Sequence, residues 1–300
     1  MENKRSKVLL WIPTILVIGL IVTVIYQGLQ QNKTTQTDDK LTVITSLNSY
    51  GDIAEAVLGD AGSVTSVIAN PDVDPHDFEP TPNTAKQYDQ ADVIISNGGG
   101  LDAWSEKFAK ANQQAKSISI STLYNYHEGD NEHFWYEPDL VEKLTKELVK
   151  TYSDLAPDHR RTFEDNARKY LAKMDKVTTL REELTKQLKG QAVLTTEPIF
   201  DPWLKAMGVK VLVPEFAFAV EEGQDPTPAS IKAWGDAAKQ HKAAAVIQNT
   251  QATSQLVDQS VKAAKDAGMP IVQVSETKPA DVNYIDWQYQ QLEALKKAVK

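Results

Sequence analysis

The sequence contains no cysteine among its 300 residues. Disulfide bridges, thiolate metal sites and a cysteine nucleophile are therefore excluded, and so is a lipid anchor on an N-terminal cysteine. Histidine is scarce as well, with five residues, so a site built on imidazole must draw on few side chains. Positive charge is in short supply, because 32 basic residues face 41 acidic ones and the formal net charge is −9. A chain with this charge is not expected to bind nucleic acid.

The rest of the composition is that of an ordinary globular protein. Hydrophobic residues make up 41% and charged residues 24%, and the length suffices for one large or two medium domains. The exception lies at the N-terminus, where a basic flank at residues 1–7 precedes an uncharged apolar run at residues 8–26. A helix of this length spans about 28 Å, which is close to the hydrocarbon thickness of a bilayer.

The apolar run has two interpretations, an uncleaved membrane anchor and a cleaved signal peptide. It exceeds the roughly 7–15 apolar residues of a usual signal peptide, and no small-x-small cleavage site follows it. We therefore expect a single-pass anchor at residues 8–26 with a cytoplasmic N-terminus. Residues 27–40 are then a polar linker, and the rest of the chain lies on the extracytoplasmic face of the cell membrane.

From Leu41 onward, short β-branched runs alternate with helical patterns, which is typical of parallel sheets covered by helices. The predicted strands lie in two groups, 41–46, 63–69, 91–98 and 117–121, then 192–197, 210–215, 243–248 and 270–275. We predict an α/β fold with two lobes, each a mostly parallel sheet flanked by helices. The N-terminal lobe is assigned to residues 41–156 and the C-terminal lobe to 191–300, joined by one long rigid helix at 157–190.

Several polar residues follow predicted strands, where open parallel sheets and two-lobed proteins bind their ligands. His76 lies in the segment "PDVDPHDFEPTP", whose prolines stiffen a loop after the second strand. His133 lies beyond the fourth strand, and Glu197 and Glu276 end strands of the second group. Two imidazoles and two carboxylates, two from each lobe, would together form a four-residue metal site.

Each of these four residues also has an ordinary structural interpretation. His76 would suit a surface turn, and His133 would suit packing among the aromatic residues that follow it. Glu197 would suit the N-terminus of a helix, where the helix dipole stabilises a carboxylate, and Glu276 would suit a solvated loop. If Glu197 is not a ligand, Asp201 is the nearest alternative carboxylate.

Five segments follow one another along the chain, namely "DPHDFEPTP", "SNGGGLDAW", "EHFWYEP", "TTEPIF" and "VSETKPADVNY". Their order and spacing resemble the metal-receptor family of ABC importers for manganese and zinc, the cluster A-I solute-binding proteins. The resemblance extends over the chain beyond residue 40 and implies metal ligands at His76, His133, Glu197 and Glu276. The chain departs from the family pattern at Asp102 and Glu276, where glutamate and aspartate are respectively usual, and in lacking the lipobox cysteine.

Three further residues are candidates to hydrogen-bond the ligand imidazoles, as residues around metal sites often do. They are Asp74, Asp77 and Asn97. Asp74 and Asp77 flank His76, and Asn97 belongs to the second of the five segments. The alternative for the two acidic residues is a solvated loop.

The resemblance implies a monomeric extracytoplasmic receptor that captures a divalent transition metal and passes it to an ABC permease, with no enzymatic step. We favour Mn²⁺ over Zn²⁺, because zinc receptors of the family use histidine where this chain has Glu197, and carboxylates suit manganese. Two other functions fit the same residues. One is a metallohydrolase whose metal keeps an open position, and the other is a surface adhesin with a structural metal.

Overall fold

The computed structural model describes residues 40–252 and 254–299. The predicted cytoplasmic flank, anchor and linker lie outside these ranges, apart from Lys40. Within the described part of the chain, no helix is both long enough and apolar enough to cross a membrane. A compact unit begins at Leu41, where the sequence predicts the first strand.

The N-terminal half contains a four-stranded parallel sheet with the strand order β2-β1-β3-β4. Its strands are β1 (Leu41–Leu47), β2 (Gly62–Ile68), β3 (Val93–Ser96) and β4 (Lys116–Ser119). The two central strands, β1 and β3, are almost entirely buried, whereas β2 and β4 are partly exposed. This pattern is expected of a parallel sheet that helices cover on both faces.

The C-terminal half repeats this arrangement with a second parallel sheet of order β6-β5-β7-β8. Its strands are β5 (Ala192–Thr195), β6 (Lys210–Leu212), β7 (Val246–Asn249) and β8 (Ile271–Val274). All eight predicted strands are present, with ends shifted by up to three residues. The prediction of two parallel sheets flanked by helices is therefore confirmed.

Twelve α-helices of at least four residues connect and flank the strands in the described residues. They are α1 (Asn48–Leu58), α2 (Pro82–Asp89), α3 (Ala103–Ala111), α4 (Ile120–Leu123), α5 (Leu140–Leu155), α6 (Arg160–Lys173), α7 (Asp175–Gln187), α8 (Asp201–Ala206), α9 (Pro214–Glu221), α10 (Pro228–Lys239), α11 (Gln255–Asp266) and α12 (Tyr284–Ala298). Short 3₁₀ turns lie at Gly59–Ala61, Phe134–Tyr136, Pro157–His159 and Pro198–Phe200.

The predicted connecting helix at 157–190 is corrected by the structure, because it is interrupted at Met174 and forms the two helices α6 and α7. The backbone hydrogen bonds tighten there to a spacing of three residues, from Met174 N to Leu171 O and from Val177 N to Met174 O, each 2.9 Å long. The break follows the packing: α6 lies against α1 and α5, whereas α7 lies against α12. The two helices therefore follow two different surfaces.

The two halves of the molecule share a continuous hydrophobic core that includes buried residues of both sheets. Hydrogen bonds also join them. The hydroxyl of Tyr136 donates to Oε1 of Gln291 at 2.7 Å. The side chain of Asn48 donates to the carbonyl of Lys278 at 2.6 Å and accepts from its backbone N–H at 3.1 Å. These contacts fix how the carboxyl ends of the two sheets face each other.

Candidate metal centre

His76 lies in the loop between β2 and α2. Hydrogen bonds hold this loop both internally and to the C-terminal half. Within the loop, the backbone N–H of His76 donates to Oδ1 of Asp74 at 2.9 Å. Across to the C-terminal half, the carbonyl of Val73 accepts hydrogen bonds from Gln251 at 2.7 Å and from Thr277 at 3.1 Å. The imidazole of His76 is thereby placed at the boundary between the halves, with 29% of its side chain exposed.

His133 precedes the 3₁₀ turn Phe134–Tyr136 and is fully buried. Its ring packs edge-on against Trp135, with ring centroids 5.0 Å apart. Oδ1 of Asn131 accepts from the backbone N–H of His133 at 2.9 Å and also from its Nδ1 at 3.1 Å. The amide nitrogen of Asn131 donates to the carbonyl of Pro198 at 2.8 Å. Asn131 therefore orients the His133 ring and ties it to the C-terminal half.

Glu197 and Glu276 follow β5 and β8, and both are buried, with 7% and 1% exposure. Asn249 ends β7, between these two strands in the sheet. Its amide nitrogen donates to Oε1 of Glu276 at 2.7 Å and also to Oε2 of Glu197. One oxygen of each carboxylate is thus held by the same amide.

Three of the four predicted ligands converge. His76, His133 and Glu276 each offer a ligand atom within 4.8 Å of the other two, and Nε2 of His76 lies 3.8 Å from Oε2 of Glu276. Nε2 of His133 and Oε2 of Glu276 are buried without a hydrogen-bond partner among the described residues. Glu197 is not a member of this cluster and is linked to it through Asn249.

Two carboxylates that the sequence analysis did not select adjoin the cluster. Glu132 lies 3.7 Å from Nδ1 of His76, and Glu221, at the end of α9, lies 3.4 Å from Nε2 of His133. Together with His76 they form a second group of ligand atoms within 4.8 Å. The signal for Glu132 was its position beside His133, whereas Glu221 is the last residue of a helix and does not follow a strand.

The three residues predicted to hydrogen-bond the imidazoles have other contacts in the structure. Asp74 accepts from the backbone of His76, and the backbone N–H of Asp77 donates to the carbonyl of Asp74 at 3.2 Å. The side chain of Asn97 donates to the carbonyls of Gly98 at 2.8 Å and Glu132 at 3.1 Å. The two aspartates therefore shape the loop that carries His76. Asn97 holds the backbone of the loop that carries His133, whose ring is bound by Asn131.

Burial dominates the electrostatics of the cluster. It lowers the pKa of His76, against the opposing effect of Asp74, and it lowers the pKa of His133 well below its usual range. Burial raises the pKa of Glu132 and Glu197 to about 7, although the hydrogen bond from Asn249 opposes this for Glu197. The pKa of Glu276 is also raised well above its usual range, by burial first and then by Asp74.

Burial and neighbouring carboxylates, Glu132 first among them, raise the pKa of Glu221 to about 9. Asp201, the alternative third ligand, begins α8, and burial raises its pKa to about 7. It does not belong to the groups of converging ligand atoms in the described chain. Neutral imidazoles and closely spaced carboxylates of this kind match the donor set of a divalent transition metal.

Two α/β lobes with a shared site at the carboxyl ends of their strands fit a protein that binds a small solute between its lobes. The chain matches the family described as "ZnuA: Zinc-uptake complex component A periplasmic" over residues 43–298. It therefore belongs to this family of metal-binding periplasmic solute-binding proteins. Members of the family are solute-binding transport proteins and not enzymes, so the metallohydrolase alternative is not supported.

Individual relatives agree with the family match. The chain is 25% identical over 282 residues to the high-affinity zinc uptake system protein ZnuA of Bacillus subtilis, covering 86% of this chain and 87% of that protein. It is 25% identical over 246 residues to the manganese ABC transporter substrate-binding lipoprotein PsaA of Streptococcus pneumoniae, covering 76% and 78%.

A solved structure supports the fold. The Mn-bound periplasmic metal binding protein from candidatus liberibacter asiaticus superposes with a TM-score of 0.71 and covers 87% of this chain and 100% of that chain. Its sequence identity is 18%, so the likeness concerns the fold alone.

Proposed function

We propose that this protein is an extracytoplasmic receptor that captures a divalent transition metal between its two lobes and delivers it to an ABC permease. The observation that carries the proposal is the pair of buried, unpartnered ligand atoms, Nε2 of His133 and Oε2 of Glu276, beside His76. Buried polar atoms are almost always hydrogen-bonded. A cation between these atoms would satisfy both of them.

The charge balance supports the same conclusion. Several carboxylates lie close together in the cluster, and burial penalises their ionised forms. A bound divalent cation would reverse this penalty, because metal binding requires deprotonated ligands and stabilises them. The neutral state of the histidines is also the form that binds metals.

We assign the ligands to His76, His133, Glu276 and Glu197, from four separate loops. Asn249 holds one oxygen of each glutamate, which leaves Oε1 of Glu197 and Oε2 of Glu276 available for a metal. Fixing carboxylates through their second oxygen is a common way of orienting metal ligands. On this assignment, Glu197 joins the other three through a movement of its side chain.

For the metal itself we favour Mn²⁺ and place Zn²⁺ next. The two carboxylates suit manganese, whereas the two imidazoles suit zinc. The names of the two relatives support either metal, since one name mentions zinc and the other manganese. The Irving–Williams order makes zinc bind this site at least as tightly, so selectivity for manganese would depend on release to the permease.

The proposed location is the extracytoplasmic face of the cell membrane, with residues 8–26 as a single-pass anchor and the receptor as a monomer. The anchor rests on the length and apolarity of that run. A surface adhesin role stays a prediction and would require a partner interface that does not depend on metal.

The test is the metal content of the protein isolated from its native membrane without chelator. About one equivalent of manganese or zinc is expected in the wild-type protein, and far less in the variant His133→Ala. The same low content of every divalent transition metal in both proteins would refute the receptor function.

A further inference from the structure

Glu221 lies outside the segments that identify the metal site, yet its carboxylate faces that site. It is the last residue of α9, and its side chain is 10% exposed. Its Oε1 lies 3.4 Å from Nε2 of His133. The C-terminal end of α9 thus supplies a carboxylate that no strand end provides.

The contact between Glu221 and His133 is not a hydrogen bond. Nε2 of His133 is fully buried and has no hydrogen-bond partner among residues 40–252 and 254–299. Asn131 accepts from Nδ1 of the same ring, so the neutral imidazole presents a lone pair at Nε2. A lone pair and a carboxylate oxygen that face each other can share either a proton or a metal ion.

The separation of the two atoms fits a shared metal ion. Two ligand atoms that lie about 2.1 Å from one five-coordinate ion are about 3.0 Å apart at an angle of about 90° and about 3.6 Å apart at about 120°. The distance from Nε2 of His133 to Oε1 of Glu221 is 3.4 Å. Glu221 also offers an oxygen within 4.8 Å of ligand atoms of His76 and Glu132, so it faces both imidazoles.

We propose that Glu221 is a direct ligand of the captured metal, in addition to His76, His133, Glu276 and Glu197. This inference rests on the proposed function and deepens it. A third carboxylate would raise the number of protein ligands to five, which exceeds the four of a tetrahedral zinc site. Oxygen ligands suit manganese, so Glu221 favours Mn²⁺ over Zn²⁺.

The experiment compares four forms of the full-length protein after removal of metal by chelator: wild type, Glu221→Gln, Glu221→His and the control Glu215→Gln. Glu215 is an exposed glutamate in the first turn of the same helix, so its variant repeats the chemical change away from the site. Affinities for Mn²⁺ and Zn²⁺ are measured by competition calorimetry. Bound Co²⁺ reports coordination number, because its visible absorption strengthens when a ligand is lost.

We expect Glu221→Gln to weaken Mn²⁺ binding by about tenfold or more, the least that loss of a group orienting a ligand costs. Zn²⁺ binding should change less, and Co²⁺ absorption should strengthen. Glu215→Gln should match the wild type. The variant Glu221→His provides a second check, because a nitrogen at this position should restore Zn²⁺ binding without restoring Mn²⁺ binding. A purely structural role for Glu221 would not give this selectivity.

Two results separate this inference from the proposed function. If the wild type binds metal and Glu221→Gln keeps both its Mn²⁺/Zn²⁺ affinity ratio and its Co²⁺ spectrum, Glu221 is not a ligand although the receptor function stands. If the wild type binds no divalent transition metal, the receptor function and the role of Glu221 are both wrong. If Glu221→Gln does not fold, Glu221→His is judged by the same two criteria.

Discussion

Asn131 fixes the tautomer of His133, because its Oδ1 accepts a hydrogen bond from Nδ1 of the imidazole at 3.1 Å. The assignment of this oxygen is supported by its second bond, from the backbone N–H of His133, and by the donation of the Asn131 amide to Pro198. Nε2 is therefore the nitrogen left to face the site. The orientation of the buried His133 ring thus depends on a residue two positions before it in the sequence.

Asn131→Ala should weaken metal binding by about 10–100-fold, the range typical of removing a group that orients a ligand histidine. The matched variant Asn131→Asp keeps the acceptor for His133 but loses the donor to Pro198, and it should lose less affinity. Calorimetric titration with Zn²⁺ measures both. Equal losses in the two variants would mean that the tie to Pro198, and not the orientation of the ring, determines affinity.

Metal affinity should rise with pH, and the stability of the metal-free protein should depend on pH through Glu197. Burial raises its folded pKa from 4.5 to about 7, so its contribution to stability is complete below about pH 4.5 and is lost as the pH rises through about 7. Metal requires the ionised carboxylate, so binding releases protons over the same interval.

Two measurements check this linkage. Titration in buffers of different ionisation enthalpy should detect the released protons. Between pH 4.5 and 7, the melting temperature of the metal-free wild type should fall relative to Glu197→Gln, which does not titrate at this position. The comparison with this variant cancels the contribution of the histidines to the pH dependence of stability. Their lowered pKa values make that contribution opposite in direction to the one from Glu197. A difference in melting temperature between the two proteins that does not change with pH would contradict the raised pKa of Glu197.

Glu197→His should shift the site toward zinc and weaken manganese, because it replaces an anionic oxygen with a neutral nitrogen. His76→Ala should weaken both metals, since it removes a ligand that both accept. Competition calorimetry on the two variants measures the Mn²⁺/Zn²⁺ affinity ratio. If Glu197→His leaves the ratio unchanged while His76→Ala abolishes binding, Glu197 is not a ligand, and its role is confined to its contact with Asn249.

The full-length protein should remain in the membrane fraction at its full mass, because residues 8–26 form an apolar run without a cleavage signal. Intact mass spectrometry of the isolated protein measures this. A mature chain that begins between residues 28 and 41 would show instead that the segment is a cleaved signal peptide.

The strands and the three residues that converge were predictable because their signals are local. His76, His133 and Glu276 lie in short segments whose residue types indicate a metal site, and β-branched runs mark the strands. Asn249 ends β7, so the search for polar residues at strand ends could have found it. The predicted strand, however, stopped one residue earlier. The exact end of a strand depends on its pairing with β8, which the sequence of β7 alone does not contain.

Glu221 and the break at Met174 depend on tertiary packing and were not predictable from local pattern. Glu221 reaches His133 only because the end of α9 lies beside the loop of the other half that carries His133. The break between α6 and α7 has no proline or glycine near it and arises where the chain passes from one packing surface to another. Both features require knowledge of which elements are neighbours.

The most direct test of the metal site is the thermal unfolding of the chelator-treated protein, with and without added metal, in the wild type and in His133→Ala. A ligand that binds only the native state stabilises it by mass action. We expect a rise in the melting temperature of the wild type with Mn²⁺ and with Zn²⁺, and little or none in His133→Ala. No rise with any divalent transition metal, or the same rise in both proteins, would contradict it.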